Sequence, residues 1–284
     1  MTNFPLPLTG LSKLAPQYDV ILSDIWGVLH NGVQAWPSAV EALSEAREAG
    51  LRVVLISNAP RPSDPVRAQL AGLGVPSTVY DDIVTSGDVT RDLLNTTYRD
   101  AMVSHIGPDK DRPLVEGLPV TFTDHNNAQV CLCSGLNDDL TEQPAHYTNQ
   151  LEALLARNVP MIVANPDKVV ELGDRLIYCA GALGDLYEEM GGKTIVLGKP
   201  HAPIYQAALK MAGNPPLDKV LGLGDSMRTD LRGAQEQGFD CVFFTGGIHA
   251  GAFGPATAPN GKKVQAFLDD APYRAKAWMA RLSW

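Results

Sequence analysis

Short apolar runs alternate with helical patterns along much of the chain, and that alternation predicts its architecture. Tyr18-Asp19-Val20-Ile21-Leu22-Ser23-Asp24 reads as a buried strand ending on a carboxylate. Pro37 to Gly50 spaces its apolar positions for one face of a helix, with Pro at the start and Gly past the end. Arg52-Val53-Val54-Leu55-Ile56-Ser57 is a second apolar run, closing on Ser57-Asn58. A helix from about Pro65 to Leu73 and a strand near Ile83 follow. Toward the carboxyl end, Lys219 to Gly224 predicts a strand leading to Asp225. Thr229 to Gln237 predicts a helix closed by Gly238, and Asp240 to Thr245 a further strand. Strands of this kind alternating with helices imply parallel βαβ units covered on both faces.

The middle of the chain reads differently. From about Gly87 to Cys179 turn signals are denser, as in Ile106-Gly107-Pro108, Asp124-His125-Asn126-Asn127 and Asn165-Pro166-Asp167. A strand over Gln129 to Cys133, a helix around Pro144 to Arg157 and a strand around Met161 to Val163 give this stretch a βαβ pattern of its own. It is therefore expected to be an inserted α/β domain rather than a long loop. The organisation expected for the 284 residues is a Rossmann-like α/β core with a parallel sheet, contributed by 1–86 and 180–284, interrupted by an α/β cap over 87–179. Ala271 to Trp284 is expected to be a packing helix.

Composition narrows the partners. Hydrophobic residues make up 45% and charged residues 19%, enough apolar content for a core. Lys+Arg number 23 against 32 Asp+Glu, a net charge of −9, and no basic stripe is present, which excludes a nucleic-acid surface. A small anionic substrate is not excluded, because a metal ion can reverse the sign of one pocket. Cys131, Cys133, Cys179 and Cys241 form no C-x-x-C pair, and Cys131 and Cys133 alternate on one side of a strand, so buried core thiols are expected. The start of the chain lacks the charge and apolar run of a signal peptide, and no apolar run approaches the roughly 18 residues that span a bilayer. The expectation is a cytoplasmic protein without a membrane partner, its oligomeric state open, a homodimer included.

Candidate chemistry lies at the strand ends. Asp24 closes the first strand, Ser57 the second, and Asp225 follows the strand begun at Lys219. In open parallel sheets ligands bind beyond the carboxyl ends of the strands, so these residues should converge. Leu197-Gly198-Lys199-Pro200 adds a cation after a predicted strand over Thr194 to Leu197. Asp24 and Asp225 with Asp230 would make a hard oxygen site suited to Mg²⁺.

These pieces together resemble the haloacid dehalogenase superfamily, specifically the class IIA hydrolases with a C2-type cap and their nitrophenyl-phosphatase and sugar-phosphatase-like branch. The matching segments are Asp24-Ile25-Trp26-Gly27-Val28-Leu29, Ser57-Asn58, Gly198-Lys199-Pro200 and Gly224-Asp225-Ser226-Met227-Arg228-Thr229-Asp230. They occur in the family's order, with Ala164-Asn165-Pro166-Asp167 late in the insert, and cover roughly Tyr18 to Gly247. The resemblance implies that Asp24 is a nucleophile forming an aspartyl phosphate. It implies Mg²⁺ held by Asp24, Asp225 and the backbone carbonyl of Trp26, with Asp230 as further ligand or support. Ser57 and the backbone N–H of Asn58 would bind the transferring oxygens, and Lys199 would neutralise charge there.

One position departs from the pattern. Phosphatases of this superfamily carry a second Asp two residues after the nucleophile as general acid and base, and here that residue is Trp26. An indole N–H cannot exchange protons at neutral pH. Three readings follow: a slow phosphatase, or one acting on an ester whose leaving group needs no proton; an enzyme drawing its proton from another group, His30 being the nearest candidate; or a protein that binds a phosphorylated ligand without turning it over. Dehalogenases of the superfamily also lack the second Asp but do not need the metal cluster, so Asp225 with Asp230 favours phosphoryl chemistry. His201 reads as a helix-start residue, while His125 and His146 lie in the insert and could face substrate. Gly191-Gly192-Lys193-Thr194 echoes a P-loop but lacks its first glycine, at Tyr187, and follows a helix. No G-x-S-x-G elbow is present. The expectation is a Mg²⁺-dependent hydrolase of small phosphate monoesters acting on a small phosphorylated metabolite, slow or atypical because of Trp26. The competing expectation is a binding or regulatory protein with little turnover.

Overall fold

The computed structural model describes residues 6–172 and 175–284. In chain order its strands are β1 (Leu6–Pro7), β2 (Val20–Asp24), β3 (Arg52–Ser57), β4 (Asp82–Thr85), β5 (Met102–Ile106), β6 (Thr121–Phe122), β7 (Val130–Cys133), β8 (Met161–Val163), β9 (Val169–Leu172), β10 (Arg175–Tyr178), β11 (Thr194–Val196), β12 (Val220–Gly224), β13 (Asp240–Phe244) and β14 (Ala277–Met279). They belong to two compact units. Of the described residues, the first holds Leu6 to Ser57, then Arg67–Val84 and Tyr205–Trp284; the second holds Asn58–Val66 and Thr85–Ile204.

The first unit is built on a seven-stranded sheet in the order β1-β14-β13-β12-β2-β3-β4. β2 pairs in parallel with β3 on one side and β12 on the other. Every residue of β2 and β12 is buried, which is why neither shows the alternation of a half-exposed strand. From β2 the chain winds outward through β3 and β4, and later outward the other way through β12, β13 and β14. The order therefore reverses between β2 and β12, the place where such sheets form a crevice.

The carboxyl end departs from expectation. The helix expected over Ala271 to Trp284 is absent; the helix is Gly261–Asp269, and Ala277–Met279 form β14 between β13 and β1. Pro272 removes a helix donor, and the Ala277-Trp278-Met279 run is worth more buried in the sheet, where Lys276 donates to the Cys241 carbonyl at 2.8 Å.

The second unit has a five-stranded sheet, β11-β8-β7-β5-β6, parallel throughout, and a separate antiparallel hairpin of β9 and β10. Its two faces are separately packed. Cys131, Cys133, Met161 and Val163 face a cluster with Leu151, Leu183 and Tyr187, while Val130, Leu132 and Ile162 face Leu94 and Leu114. The two-residue period of a strand does this sorting. All four cysteines are free and buried, as expected, and burial pushes the Cys131 thiol up to about 12. The unit runs beyond the expected boundary at 179, because β11 pairs with β8 and the helix Ala180–Glu189 packs on the same sheet. It also takes in residues 58–66, which the expectation gave to the core. Among the described residues no helix is long and apolar enough to cross a membrane.

Candidate active site

In the first unit, the register sets Ser23 beside Leu223, so Asp24 and Asp225 leave adjacent strands at nearly the same level. Asp230 arrives from the other direction. Instead of a regular helix from Thr229, the chain makes a π-helical turn over Met227–Leu231 before the α-helix Arg232–Gln237. Such turns recur at functional sites because the extra residue re-aims a side chain. Asp24, Asp225 and Asp230 each offer a carboxylate oxygen, and these oxygens lie within 4.8 Å of one another. All three residues are buried, at 7%, 5% and 5% exposure.

Backbone donors aim each carboxylate. Ile25 N–H donates to Asp24 Oδ1 at 2.7 Å, Ile248 N–H to Asp225 Oδ2 at 2.7 Å, and Ser226 N–H to Asp230 Oδ2 at 3.1 Å. Glycine makes room for Asp225. A Cβ on Gly27, whose φ is +78°, would sit 1.9 Å from Asp225 Oδ2, and a Cβ on Gly247 would meet the same atom at the same distance. Gly247 and Ile248 were not singled out from sequence, although Gly246-Gly247 after an apolar run is a turn signal.

The loop after Asp24 is also pinned by backbone and aromatic contacts. The Trp26 indole meets the His30 ring edge-on at 4.9 Å, and Gly27 N–H donates to the His30 carbonyl at 2.9 Å. His30 is 1% exposed, its Nδ1 accepts the Gly32 N–H at 2.9 Å, and burial pushes the imidazole down to about 4. The ring is thus a neutral packing element at pH 7. Ser57, at the end of β3 beside Asp24's strand, is 2% exposed.

The remaining predicted residues belong to the second unit. Lys199 is 2% exposed and Asn58 4%. Asn58 Oδ1 accepts the Lys199 N–H at 2.7 Å, and Asn58 Nδ2 donates to the Lys199 carbonyl at 3.1 Å and to Asp167 Oδ1 at 2.9 Å. The expectation used only the Asn58 backbone; its side chain holds Lys199. His201 N–H donates to the Gly198 carbonyl at 2.9 Å just ahead of the helix Ala202–Met211. His146 caps a turn through Gln143, and the His125 ring is half-buried.

A family model described as haloacid dehalogenase-like hydrolase matches residues 21–120, and one described as HAD-hydrolase-like matches 196–271. The crystal structure of a hydrolase of the haloacid dehalogenase-like family from Brucella suis is 40% identical, with a TM-score of 0.84, covering 96% of this chain and 98% of that one. The ribonucleotide monophosphatase NagD of Escherichia coli is 27% identical over 80% of this chain and 88% of its own. The sugar-phosphatase AraL of Bacillus subtilis is 29% identical over 74% of this chain and 77% of its own.

Proposed function

The chain belongs to the haloacid dehalogenase-like hydrolases, and from that premise we propose that it is a Mg²⁺-dependent phosphatase of small phosphate monoesters whose turnover is limited by Trp26. The observation that carries this reading is the buried cluster of Asp24, Asp225 and Asp230 at the point where the strand order reverses. Three carboxylates so close together could hold a metal ion, and their hard oxygen donors suit Mg²⁺. Asp24, Asp225, Asp230 and the Trp26 carbonyl would hold it, and bound there it would offset the repulsion between an anionic nucleophile and an anionic phosphate. The four free thiols fit a reducing, cytoplasmic setting.

In this reading an Asp24 oxygen attacks phosphorus, the bond to the leaving-group oxygen breaks, and an aspartyl phosphate forms. Water then attacks phosphorus, releasing inorganic phosphate and restoring Asp24. Ser57 and the Asn58 N–H bind the phosphoryl oxygens, and Lys199 supplies positive charge to them. Neither step has a carboxyl group at position 26 to give or take a proton, so esters with acidic leaving groups should be favoured.

The test compares p-nitrophenyl phosphate with an alkyl phosphate, for the native protein, Asp24→Asn and Trp26→Asp, with Mg²⁺ and with EDTA. Hydrolysis should need Mg²⁺ and vanish in Asp24→Asn. Trp26→Asp should raise alkyl phosphate turnover by about 10² to 10⁴. Metal-independent hydrolysis, or activity surviving in Asp24→Asn, would overturn the reading. Trp26 itself favours a second reading, a phosphate-binding protein; that reading gains if the native chain binds phosphate, hydrolyses neither ester and becomes active as Trp26→Asp.

A further inference from the structure

We propose that Asp167 and Asn58 are a positioning pair for Lys199: the Asp167 carboxylate fixes which way the Asn58 carboxamide faces, and the carboxamide fixes the Lys199 backbone. This goes beyond the proposed function but rests on its assignment of Lys199 to the phosphoryl group.

A carboxamide has two ends alike in shape and opposite in hydrogen bonding. The Asn58 oxygen faces the Lys199 N–H at 2.7 Å, while its nitrogen faces the Lys199 carbonyl at 3.1 Å and Asp167 Oδ1 at 2.9 Å. Turned over, the amide would set its oxygen against the carbonyl and the carboxylate, and its N–H₂ against the Lys199 N–H. All three hydrogen bonds would become repulsions. A carboxylate oxygen accepts, so Asp167 adds to the Lys199 N–H and carbonyl a third contact that selects the same orientation. With Asn58 4% and Lys199 2% exposed, water offers little alternative, which makes an unsatisfied partner costly.

Asp167 is itself held. Its N–H donates to Asn165 Oδ1 at 3.0 Å, and its carbonyl accepts the Gly181 N–H at 3.2 Å. The fit around Lys199 is close. A Cβ on the preceding Gly198 would lie 2.7 Å from Asn58 Oδ1 and 2.8 Å from both Pro166 Cγ and Ser86 Oγ. The lysine side chain is a flexible four-carbon stem, so where its ammonium can reach depends on where its backbone is anchored. Asp167 lies 109 residues from Asn58, and Lys199 141 residues from it, so the arrangement exists only in the folded unit.

The test is a mutant cycle on the full chain with Asp167→Asn, Asn58→Ala and Lys199→Ala, singly and with each of the first two added to the third. Each variant is read as hydrolysis of p-nitrophenyl phosphate with Mg²⁺ and as affinity for inorganic phosphate, so that an inactive variant still reports. Thermal midpoints identify any variant that fails to fold. Asp167→Asn keeps size and removes the acceptor-only group; it should lower kcat by about 10- to 100-fold, since small misplacements of a charged group cost that much. In the Lys199→Ala background the same change should have no further effect on phosphate affinity, because it acts through the lysine. Equal losses in both backgrounds would mark a merely structural role and overturn the proposal, as would native-like hydrolysis by Asp167→Asn alongside a strongly impaired Lys199→Ala. Native-like behaviour of Lys199→Ala itself would instead overturn the assignment of Lys199, and the pair's role with it.

Discussion

Replacing Gly27 by alanine tests whether the carboxylate cluster is a metal site whose geometry depends on an absent side chain. Two costs are separable. Gly27 has φ +78°, and a residue with a Cβ pays about 1–2 kcal/mol for that conformation. The new Cβ would also lie 1.9 Å from Asp225 Oδ2. Ordinary contact needs more than 3 Å, so the oxygen would have to move by about 1.5 Å. That displacement breaks its 2.7 Å bond from Ile248 N–H, and a hydrogen bond to a charged group is worth about 1.5–3 kcal/mol. It also turns the Asp225 carboxylate out of place at a site where Mg²⁺ would tolerate little deviation from about 2.1 Å. Gly50→Ala supplies the strain alone, since Gly50 has φ +93° with nothing within 4 Å of its Cβ position; Gly247→Ala supplies the collision with Asp225 without a left-handed backbone. The assay is calorimetric titration of Mg²⁺ together with metal-free urea unfolding. Gly50→Ala should lose about 1–2 kcal/mol of stability and keep native Mg²⁺ affinity. Gly27→Ala and Gly247→Ala should both lose affinity by about 10- to 100-fold. Native affinity in Gly27→Ala, with stability falling only as in Gly50→Ala, would refute the argument that Gly27 protects the placement of Asp225.

Two further predictions concern the second unit. Burial pushes the Asp111 carboxyl from its ordinary 3.8 up to about 6, against a hydrogen bond from Ser134 and the charges of Lys110 and Arg61, which pull it down. A raised folded-state value means the native protein holds the proton longer, so this group's contribution to stability falls as pH rises through about 4 to 6 and is level above. Asp111→Asn cannot ionise and should gain on the native protein across that window by at most about 3 kcal/mol; parallel stability curves from urea unfolding would contradict this. Asp88 accepts from Thr85 N–H, Thr85 Oγ1 and Ser63 N–H, each at 3.0 Å, closing a capping box on the helix Ser86–Thr96. Asp88→Ala should cost about 1–2 kcal/mol in the same assay and Asp88→Asn clearly less; equal losses would mean that the charge, not the cap, matters.

The strands that carry the site were legible because they are buried on both faces. Arg52–Ser57 and Met161–Val163 match their apolar runs residue for residue. β14 was not, since its run follows Pro272 and pairs on one side with β1, at the opposite end of the chain. The hairpin of β9 and β10 was missed for a related reason: Leu176 and Tyr178 are exposed at 66% and 42%, so their apolar character does not mark a buried face. Asp24 and Asp225 could be picked out by residue type at strand ends, whereas Asp230 sits in the helical turn that follows β12. What could not be read is direction. Sequence spacing pairs Asn58 with its neighbour Ser57, whereas the structure turns its side chain to a lysine 141 residues on.

The same distinction between side chain and backbone governs Trp26. A role that needs only a backbone carbonyl survives any substitution there, while a role that needs a titratable group does not. Trp26 also does something an aspartate would not: its ring packs edge-on against His30, a contact of a kind worth about 0.5–1.5 kcal/mol, and His30 in turn accepts the Gly27 N–H. Trp26→Asp would therefore give up packing beside a buried neutral imidazole and set a new negative charge next to Asp24. Both changes oppose activity, one by loosening the loop and the other by like-charge repulsion. A rise in alkyl phosphate turnover in that variant would have to overcome them, which makes a gain strong evidence that only the proton-transfer group was missing. An unchanged rate in a Trp26→Asp variant that keeps the native thermal midpoint counts against that reading.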